Sequence, residues 1–172
     1  RILAAVEETE RADVEKLLVY DEETAGGLMT SRIVSVADTA TVAAALDEVR
    51  RQSEEVEEFF EVFVVDARRR LVGVLPFRAL AVNPPARPVR DVMEEPSAQV
   101  GPEEDQEEVA RTMARYNLAS IPVVDGDGRL LGCVTFDDVS DVVEAENTED
   151  ILRFGGVSAG EGLRSPWWAA VR

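Results

Sequence analysis

The sequence contains no histidine and a single cysteine, Cys133, which stands in an apolar run. Zinc sites, disulfide frameworks and catalytic cysteine–histidine pairs need these residues, so the composition disfavours all three. Basic residues are also scarce, because 18 Lys and Arg stand against 35 Asp and Glu and leave a net charge of −17. This balance disfavours nucleic acid and anionic membranes as partners, and it favours cations or a basic protein surface. Any bound metal should be one that prefers oxygen ligands.

Long apolar runs are absent as well. No stretch approaches the roughly 18 consecutive apolar residues of a membrane-spanning helix, and the start of the chain shows no signal-peptide pattern. We therefore expect the chain as given to be soluble. With 172 residues, 45% of them hydrophobic, it can build one ordinary core or two small ones. It begins without Met and ends in a run that carries Trp167 and Trp168, so we expect a piece of a longer protein.

The acidic residues are concentrated at 136–150, FDDVSDVVEAENTED, which combines a helical apolar pattern with seven carboxylates and no basic residue. Val139, Val142 and Val143 recur at the spacing that places side chains on one helix face. Like charges at the same spacing destabilise a helix by about 0.2–0.5 kcal/mol per pair. The stretch is therefore either a solvated acidic face or a cation site. A second acidic run, EEVEE at 54–58, is better interpreted as a solvated helix end than as a set of ligands.

One order of predicted elements occurs twice along the chain. Each pass has a short strand, an amphipathic helix, two strands joined by a polar turn, and a further helix. The Pro-rich segment at 83–88 is predicted to link the passes, and residues 1–20 are predicted to be helical. The first pass covers 33–36, 39–51, 61–65, 71–75 and 77–82, and the second covers 98–100, 103–116, 121–124, 130–135 and the residues from 136 onward.

The two passes align directly with each other. LMTSRIVSV at 28–36 matches VMEEPSAQV at 92–100, and FVVDARRRLVGVLPFRAL at 63–80 matches PVVDGDGRLLGCVTFDDV at 122–139. Two copies of a unit too small to bury its sheet face alone are expected to pack together. We therefore predict an α+β fold in which two β-α-β-β-α repeats pack about a pseudo-twofold axis, with flanking helices.

This repeat, with VVD, a turn and then GxVTxxD, resembles a tandem pair of CBS (cystathionine β-synthase) domains. Three segments, at 21–30, 105–116 and 135–157, are similar to the cytosolic region of MgtE-type magnesium channels and transporters; their sequences are DEETAGGLMT, DQEEVARTMARY and TFDDVSDVVEAENTEDILRFGGV. The resemblance implies the remnant of a helical N domain at 1–24, CBS domains at 25–84 and 85–155, and part of a connecting plug helix at 156–172.

The resemblance also implies a function. The chain would be a regulatory region without enzyme activity on the cytoplasmic face of the cell membrane, where bound Mg²⁺ holds a pore closed. Its partners would be a second copy, in a homodimer formed through the CBS pairs, and its own transmembrane domain, which lies outside this chain. Asn117 stands where the family often has Asp, which weakens one site. The magnesium ligands that the resemblance implies are Asp105, Glu107, Asp138, Asp141, Glu146, Glu149 and Asp150.

CBS domains that bind ATP or AMP commonly use Thr or Ser followed three residues later by Asp, whose carboxylate takes the ribose hydroxyls. Thr135 and Asp138 satisfy this pattern in the second repeat, whereas Pro76 and Ala79 stand at the matching positions of the first. The resemblance therefore gives little support to ATP as a ligand of the first repeat. Thr135 is equally well explained as the end of a strand and the cap of the following helix.

Two functions from different classes remain open. One is a magnesium-sensing region of a membrane transporter, and the other is an adenine-nucleotide-sensing CBS pair that regulates a soluble enzyme or another transporter. The acidic helix, the DQEE motif and the Trp-bearing final segment favour the first. An enzyme in its own right is disfavoured, because the sequence shows no nucleophile, histidine base or phosphate-binding glycine loop. The GDG at 126–128 is predicted to be a hairpin turn.

Overall fold

A computed structural model of the chain describes residues 19–53, 56 and 59–140. Residues 136–140 are helical, a 3₁₀ turn covers Val89–Asp91, and no helix within the described ranges is long and apolar enough to cross a membrane. The other elements are α1 (Ala25–Leu28), β1 (Ser35–Ala37), α2 (Val42–Gln52), β2 (Val62–Val65), β3 (Leu71–Leu75), α3 (Phe77–Val82), α4 (Gln106–Tyr116), β4 (Ser120–Val124) and β5 (Leu130–Thr135).

The two repeats have the predicted α+β organisation. In the first repeat the strand order is β1-β2-β3, with β1 parallel to β2 and β2 antiparallel to β3. In the second repeat β4 and β5 form an antiparallel hairpin in which Ser120 lies opposite Thr135. The amphipathic helix α2 buries Val42, Ala45 and Val49 in the core of the first repeat. The sheets therefore have the hydrophobic cover that their apolar faces require.

The strand predicted at 98–100 is wrong, because only a single bridge at Val100 forms there. In the first repeat the N–H of Phe63 donates to the carbonyl oxygen of Val34 at 2.9 Å and extends the parallel ladder. Pro122 stands at the equivalent position of the second repeat and has no N–H to donate. The parallel ladder of the second repeat therefore stops after one residue.

Both long helices begin about three residues later than predicted, because a capping side chain marks each true start. The Thr41 hydroxyl accepts from the N–H of Ala44 at 3.3 Å, and the Asp105 carboxylate accepts from the N–H of Glu107 at 2.9 Å. These bonds satisfy N–H groups that have no partner within the helix. Helix α4 ends at Tyr116 and is capped by Asn117, whose φ of 52° is left-handed.

The segment that precedes each repeat pairs with the sheet of the opposite repeat. Thr30 exchanges backbone hydrogen bonds of 2.8 and 3.1 Å with Cys133 in β5, and Glu94 exchanges bonds of 2.9 and 2.8 Å with Val74 in β3. At the far ends of the hairpins the two turns also bond to each other, through the carbonyl oxygens of residues 69 and 128. The repeats are therefore interlocked through their main chains.

The apolar core follows the same arrangement. Each repeat has its own cluster of buried side chains, and a third cluster, which includes Phe63, Leu130 and Cys133, joins them. Ala25 and Met29 precede β1, the first strand of the first repeat, but lie in the core of the second repeat. Because removal of apolar surface from water is the dominant favourable term in folding, the shared clusters bind the two repeats into one unit.

Candidate functional site

Two clefts lie at equivalent positions between the repeats. The larger cleft has a volume of about 240 Å³ and lies where β3 meets α3, and the smaller cleft, of about 20 Å³, lies at the end of β5. Their linings correspond through the repeat alignment, since Pro76 of the larger cleft matches Thr135 of the smaller, and Glu94 matches Thr30. The pseudo-symmetry therefore produces two candidate sites, which differ about twelvefold in volume.

The smaller cleft is lined by Thr135, the first member of the Thr–Asp pair that the sequence predicts for a nucleotide. The Oδ2 atom of Asp138 accepts from the Thr135 hydroxyl at 2.5 Å and from the Thr135 N–H at 3.3 Å. This is a helix-capping arrangement, in which the third helical side chain satisfies the first free N–H. The cleft holds little more than a water molecule, which needs about 10–15 Å³. The two residues are brought together, but in this arrangement they bond to each other.

The larger cleft has room for a ligand but not the Thr–Asp pattern. Pro76 provides no side-chain cap, and the methyl group of Ala79 is buried at the position of the expected carboxylate. Three carboxylates line this cleft, and no Lys or Arg among the described residues belongs to its lining. The carboxylates are those of Glu61, Glu94 and Glu95.

Glu61 and Ser120 occupy equivalent positions in the two repeats and line both clefts. Burial raises the pKa of the Glu61 carboxyl above its ordinary value, and the neighbouring Ser120 hydroxyl offsets part of the rise. Ser120 is only 3% exposed, and its Oγ makes no hydrogen bond of normal geometry with any described residue. The sequence analysis missed both residues. The signal that could have identified them is the repeat alignment, which pairs Glu61 with Ser120 when it is extended by two positions.

The predicted magnesium ligands fall into two groups. Asp105 caps α4, Glu107 forms an ion pair of 2.9 Å with Arg111, and Asp138 bonds to Thr135. Within the described ranges no group of three Asp, Glu, Cys or His side chains is close enough to hold a metal ion. Each of these three acids can therefore supply at most part of a coordination shell. The others, Asp141, Glu146, Glu149 and Asp150, lie outside the described residues.

Two further positions near these acids have structural explanations. Burial, reinforced by the charges of Asp138 and Glu61, raises the pKa of the Cys133 thiol to about 12. The thiolate needed for nucleophilic or redox chemistry is therefore scarce at neutral pH. Asn117 is exposed and adopts a left-handed conformation that Asn tolerates better than most residues. Its side chain suits the helix end as well as any ligand role.

The family model for the CBS domain matches residues 25–82 and 89–145. The chain therefore belongs to the CBS-domain family, as a tandem pair of CBS domains, and this part of the sequence-based resemblance is confirmed. Within this class, the chain is similar to the MgtE magnesium transporters, as the sequence motifs predicted.

The similarity to these transporters extends over almost the whole chain. It is 45% identical over 168 residues to the magnesium transporter MgtE of Thermus thermophilus, covering 94% of this chain and 37% of that protein. It is 37% identical over 163 residues to the MgtE of Enterococcus faecalis, covering 95% and 36%. The chain thus spans just over a third of the length of these relatives. Both are magnesium transporters.

A solved structure supports the same relationship. The crystal structure of the cytosolic domain of the Mg²⁺ channel MgtE in complex with ATP is 44% identical to this chain and superposes on it with a TM-score of 0.78. The match covers 83% of this chain and 57% of the other. The described fold therefore corresponds to part of a cytosolic domain in that protein.

Proposed function

We propose that this chain is the magnesium-sensing regulatory region of an MgtE-type magnesium channel or transporter. The observation that carries the proposal is the 45% identity to such a transporter across 94% of the chain. The net charge of −17 supports it, because a strongly acidic surface attracts cations. In this proposal the chain lies on the cytoplasmic face of the membrane, forms a homodimer through its CBS pairs, and connects to a transmembrane domain.

The proposed mechanism is a cation-dependent change of population. Mg²⁺ bound at acidic sites stabilises a compact arrangement that keeps the pore closed. When the ions leave, the carboxylates are no longer neutralised and repel one another. An ion that binds only the compact form stabilises it by about 1.4 kcal/mol per site at ten times its Kd. Several weak sites together then convert a modest change in free Mg²⁺ into a large shift between the two forms.

Three of the proposed ligands retain a free oxygen. In Asp105, Glu107 and Asp138 one carboxylate oxygen takes part in the bonds described above, and the other makes no hydrogen bond with any described residue. Magnesium usually keeps several waters and takes one or two direct carboxylates. Acids distributed in this way suit a hydrated ion. We propose that the set is completed by Asp141, Glu146, Glu149 and Asp150.

The test is thermal unfolding of the 172-residue chain against MgCl₂, with NaCl at matched ionic strength. We expect a magnesium-specific rise in melting temperature that is lost when Asp138, Asp141, Glu146 and Glu149 are changed to Asn or Gln. Asp105→Asn should also reduce it while keeping the helix cap. The matched control is Asp47→Asn, which removes an exposed acid paired with Arg50. A rise no larger than that in NaCl would contradict the proposal.

The alternative is an adenine-nucleotide-sensing CBS pair. One observation favours it, because the related cytosolic domain was crystallised with ATP. Two observations count against it: the cleft beside Thr135 is small, and buried Ala79 stands where the first repeat would need a carboxylate. A parallel melting series with ATP and no Mg²⁺ distinguishes the two. A rise with ATP alone would favour the nucleotide sensor.

A further inference from the structure

The two hairpin turns together form a basic tip in an otherwise acidic molecule. The tip consists of residues 66–70 and 125–129, and two main-chain hydrogen bonds of 3.0 Å join the turns on either side of Arg70 and Arg129. These two arginines therefore stand directly opposite each other as a non-hydrogen-bonded cross-strand pair, the closer of the two antiparallel pairings. The arginine side chains that the tip exposes are those of Arg68, Arg69, Arg70 and Arg129.

The aspartates of the tip neutralise only part of this charge. Arg70 and Arg129 each pair with an aspartate of their own turn, at 3.1 and 2.7 Å. Arg68 and Arg69 are exposed, and their side chains form no ion pair or hydrogen bond with any residue that the structure describes. In a chain with 35 Asp and Glu against 18 Lys and Arg, neighbouring arginines without a carboxylate partner are unexpected. They indicate a binding partner outside the described residues.

Arg69 also adopts a backbone conformation that arginine disfavours. Its φ of 62° is left-handed, and the equivalent residue of the second turn is Gly128, with a φ of 78°. Glycine adopts this region without the steric penalty that a Cβ atom imposes. The first turn therefore carries an exposed positive charge where glycine would suit the fold better. Such an outlier points to a role of the side chain outside the fold.

The chemistry of the basic tip suits phosphate groups on an extended surface. A guanidinium group binds phosphate through two parallel N–H donors, and the tip consists of exposed turns that do not enclose a small ligand. None of the large exposed apolar side chains among the described residues lies in the tip, whereas the centres of protein–protein interfaces are enriched in such side chains. Anionic lipid headgroups fit better, because they attract arginine by charge alone.

We propose that the basic tip docks onto the anionic lipid headgroups of the membrane. This inference rests on the proposed function, which places the chain on the cytoplasmic face of the membrane and connects it to a transmembrane domain. Such a connection raises the effective concentration of the tip at the bilayer, so a weak contact is sufficient. The net charge of −17 opposes binding of the free chain, but carboxylates more than about 8 Å from the tip are largely screened at physiological ionic strength. The contact fixes the orientation of the CBS pair relative to the bilayer.

The test attaches the 172-residue chain to lipid vesicles through a C-terminal hexahistidine tag and a nickel-chelating lipid, since the chain itself contains no histidine. A fluorophore on Ala67→Cys reports the proximity of the tip to the bilayer through quenching by a lipid with a nitroxide on its headgroup. The native Cys133 is buried and does not compete for the label. We expect quenching in vesicles that contain phosphatidylglycerol, little in vesicles of phosphatidylcholine alone, and loss of the quenching at about 0.5 M NaCl.

Two substitutions remove the unpaired charges. Arg68→Gln and Arg69→Gly should each weaken docking about fivefold, which corresponds to the contribution of one arginine near an anionic surface. Arg69→Gly should do so without lowering the melting temperature, because glycine favours the left-handed conformation of this residue. The matched control is Arg115→Gln, which removes an exposed arginine that also lacks a partner among the described residues but lies in the last turn of α4.

Equal quenching in both kinds of vesicle, or equal weakening by Arg69→Gly and Arg115→Gln, would overturn the proposal. Release of the tip by inorganic phosphate at constant ionic strength would identify a small phosphate ligand and would also overturn it. So would self-association of the free chain that Arg69→Gly abolishes, since the partner would then be a second copy. The magnesium response is measured without lipid, so failure of the docking proposal can be distinguished from failure of the proposed function.

Discussion

Gly73 and Gly132 are the residues that allow the two repeats to interlock. A Cβ atom at Gly132 would lie 2.4 Å from the carbonyl oxygen of Thr30, and one at Gly73 would lie 3.0 Å from that of Glu94 and 2.9 Å from the sulfur of Met93. Both glycines lie where a segment from the other repeat crosses the strand. The missing side chain is what permits the close main-chain approach.

We predict that Gly132→Ala lowers the free energy of unfolding by about 2–3 kcal/mol, because neither main chain can move away without losing bonds. Gly73→Ala should lower it by about 1 kcal/mol, since the flexible Met93 side chain can move and the carbonyl contact is longer. Urea denaturation measures both. Gly101→Ala is the control, because nothing lies within 4 Å of its added Cβ. Equal losses in all three variants would contradict this explanation.

Glu61 makes a pH-dependent contribution to stability. Because burial raises the pKa of its carboxyl, the folded chain holds this proton more tightly than the unfolded chain. The contribution is therefore fully present below the ordinary pKa of Glu and is lost as the pH rises through the raised value. We predict that the Glu61→Gln variant loses less stability than the parent chain when the pH is raised from acidic to neutral. Melting temperatures across this range test it, and equal losses in the variant and the parent chain would contradict it.

At the scale of the element, substitutions of Asp105 can distinguish its role as a helix cap from its proposed role as a metal ligand. This carboxylate accepts from the N–H of Glu107 and begins α4. We predict that Asp105→Ala lowers the free energy of unfolding by about 1 kcal/mol without Mg²⁺, whereas Asp105→Asn changes it by only a few tenths, because Asn caps as well as Asp. Thr41→Ala, at the start of α2, should resemble Asp105→Ala. A large loss in Asp105→Asn would show that the charge itself stabilises the helix.

The sequence predicted some elements closely and others less well, for physical reasons. The predicted bounds of β3, α3 and β5 agree with the structure, because each is an apolar run that ends at a polar turn or a strand-to-helix corner. The strand at 98–100 failed because its pairing depends on an N–H that Pro122 lacks. That requirement becomes visible only when the partner strand is known. Of the candidate site, the sequence predicted the Thr135–Asp138 pair but not its mutual hydrogen bond.

At the scale of the whole molecule, the inequality of the two clefts could not be predicted. The repeat alignment indicates two equivalent sites, but their volumes depend on how side chains pack between the repeats. Glu61 is an example, because its position at the start of a predicted strand suggests a polar end, whereas the structure places it partly buried in the lining of both clefts. A site formed between two repeats belongs to neither segment alone.

The overall charge leads to a prediction for the whole chain. With a net charge of −17, repulsion between carboxylates opposes folding. Raising the ionic strength from about 0.01 to 0.15 M shortens the Debye length from about 30 to about 8 Å and screens this repulsion. We expect the melting temperature to rise by about 2–4 °C, equivalent to about 1 kcal/mol in a chain of this size. Calorimetry with NaCl and with KCl should give equal rises, and a fall would show that ion pairs dominate.

The exchanged pairing of Thr30 with β5 and of Glu94 with β3 also bears on how such a molecule arose. Each repeat leaves one edge of its hairpin for a segment that the other repeat supplies, and an uncovered strand edge invites pairing with another chain. A single ancestral repeat with the same pairing would therefore have been stable only as two copies that exchanged their leading segments. Duplication and fusion would then have joined a dimer that already existed, after which the two halves were free to acquire different clefts.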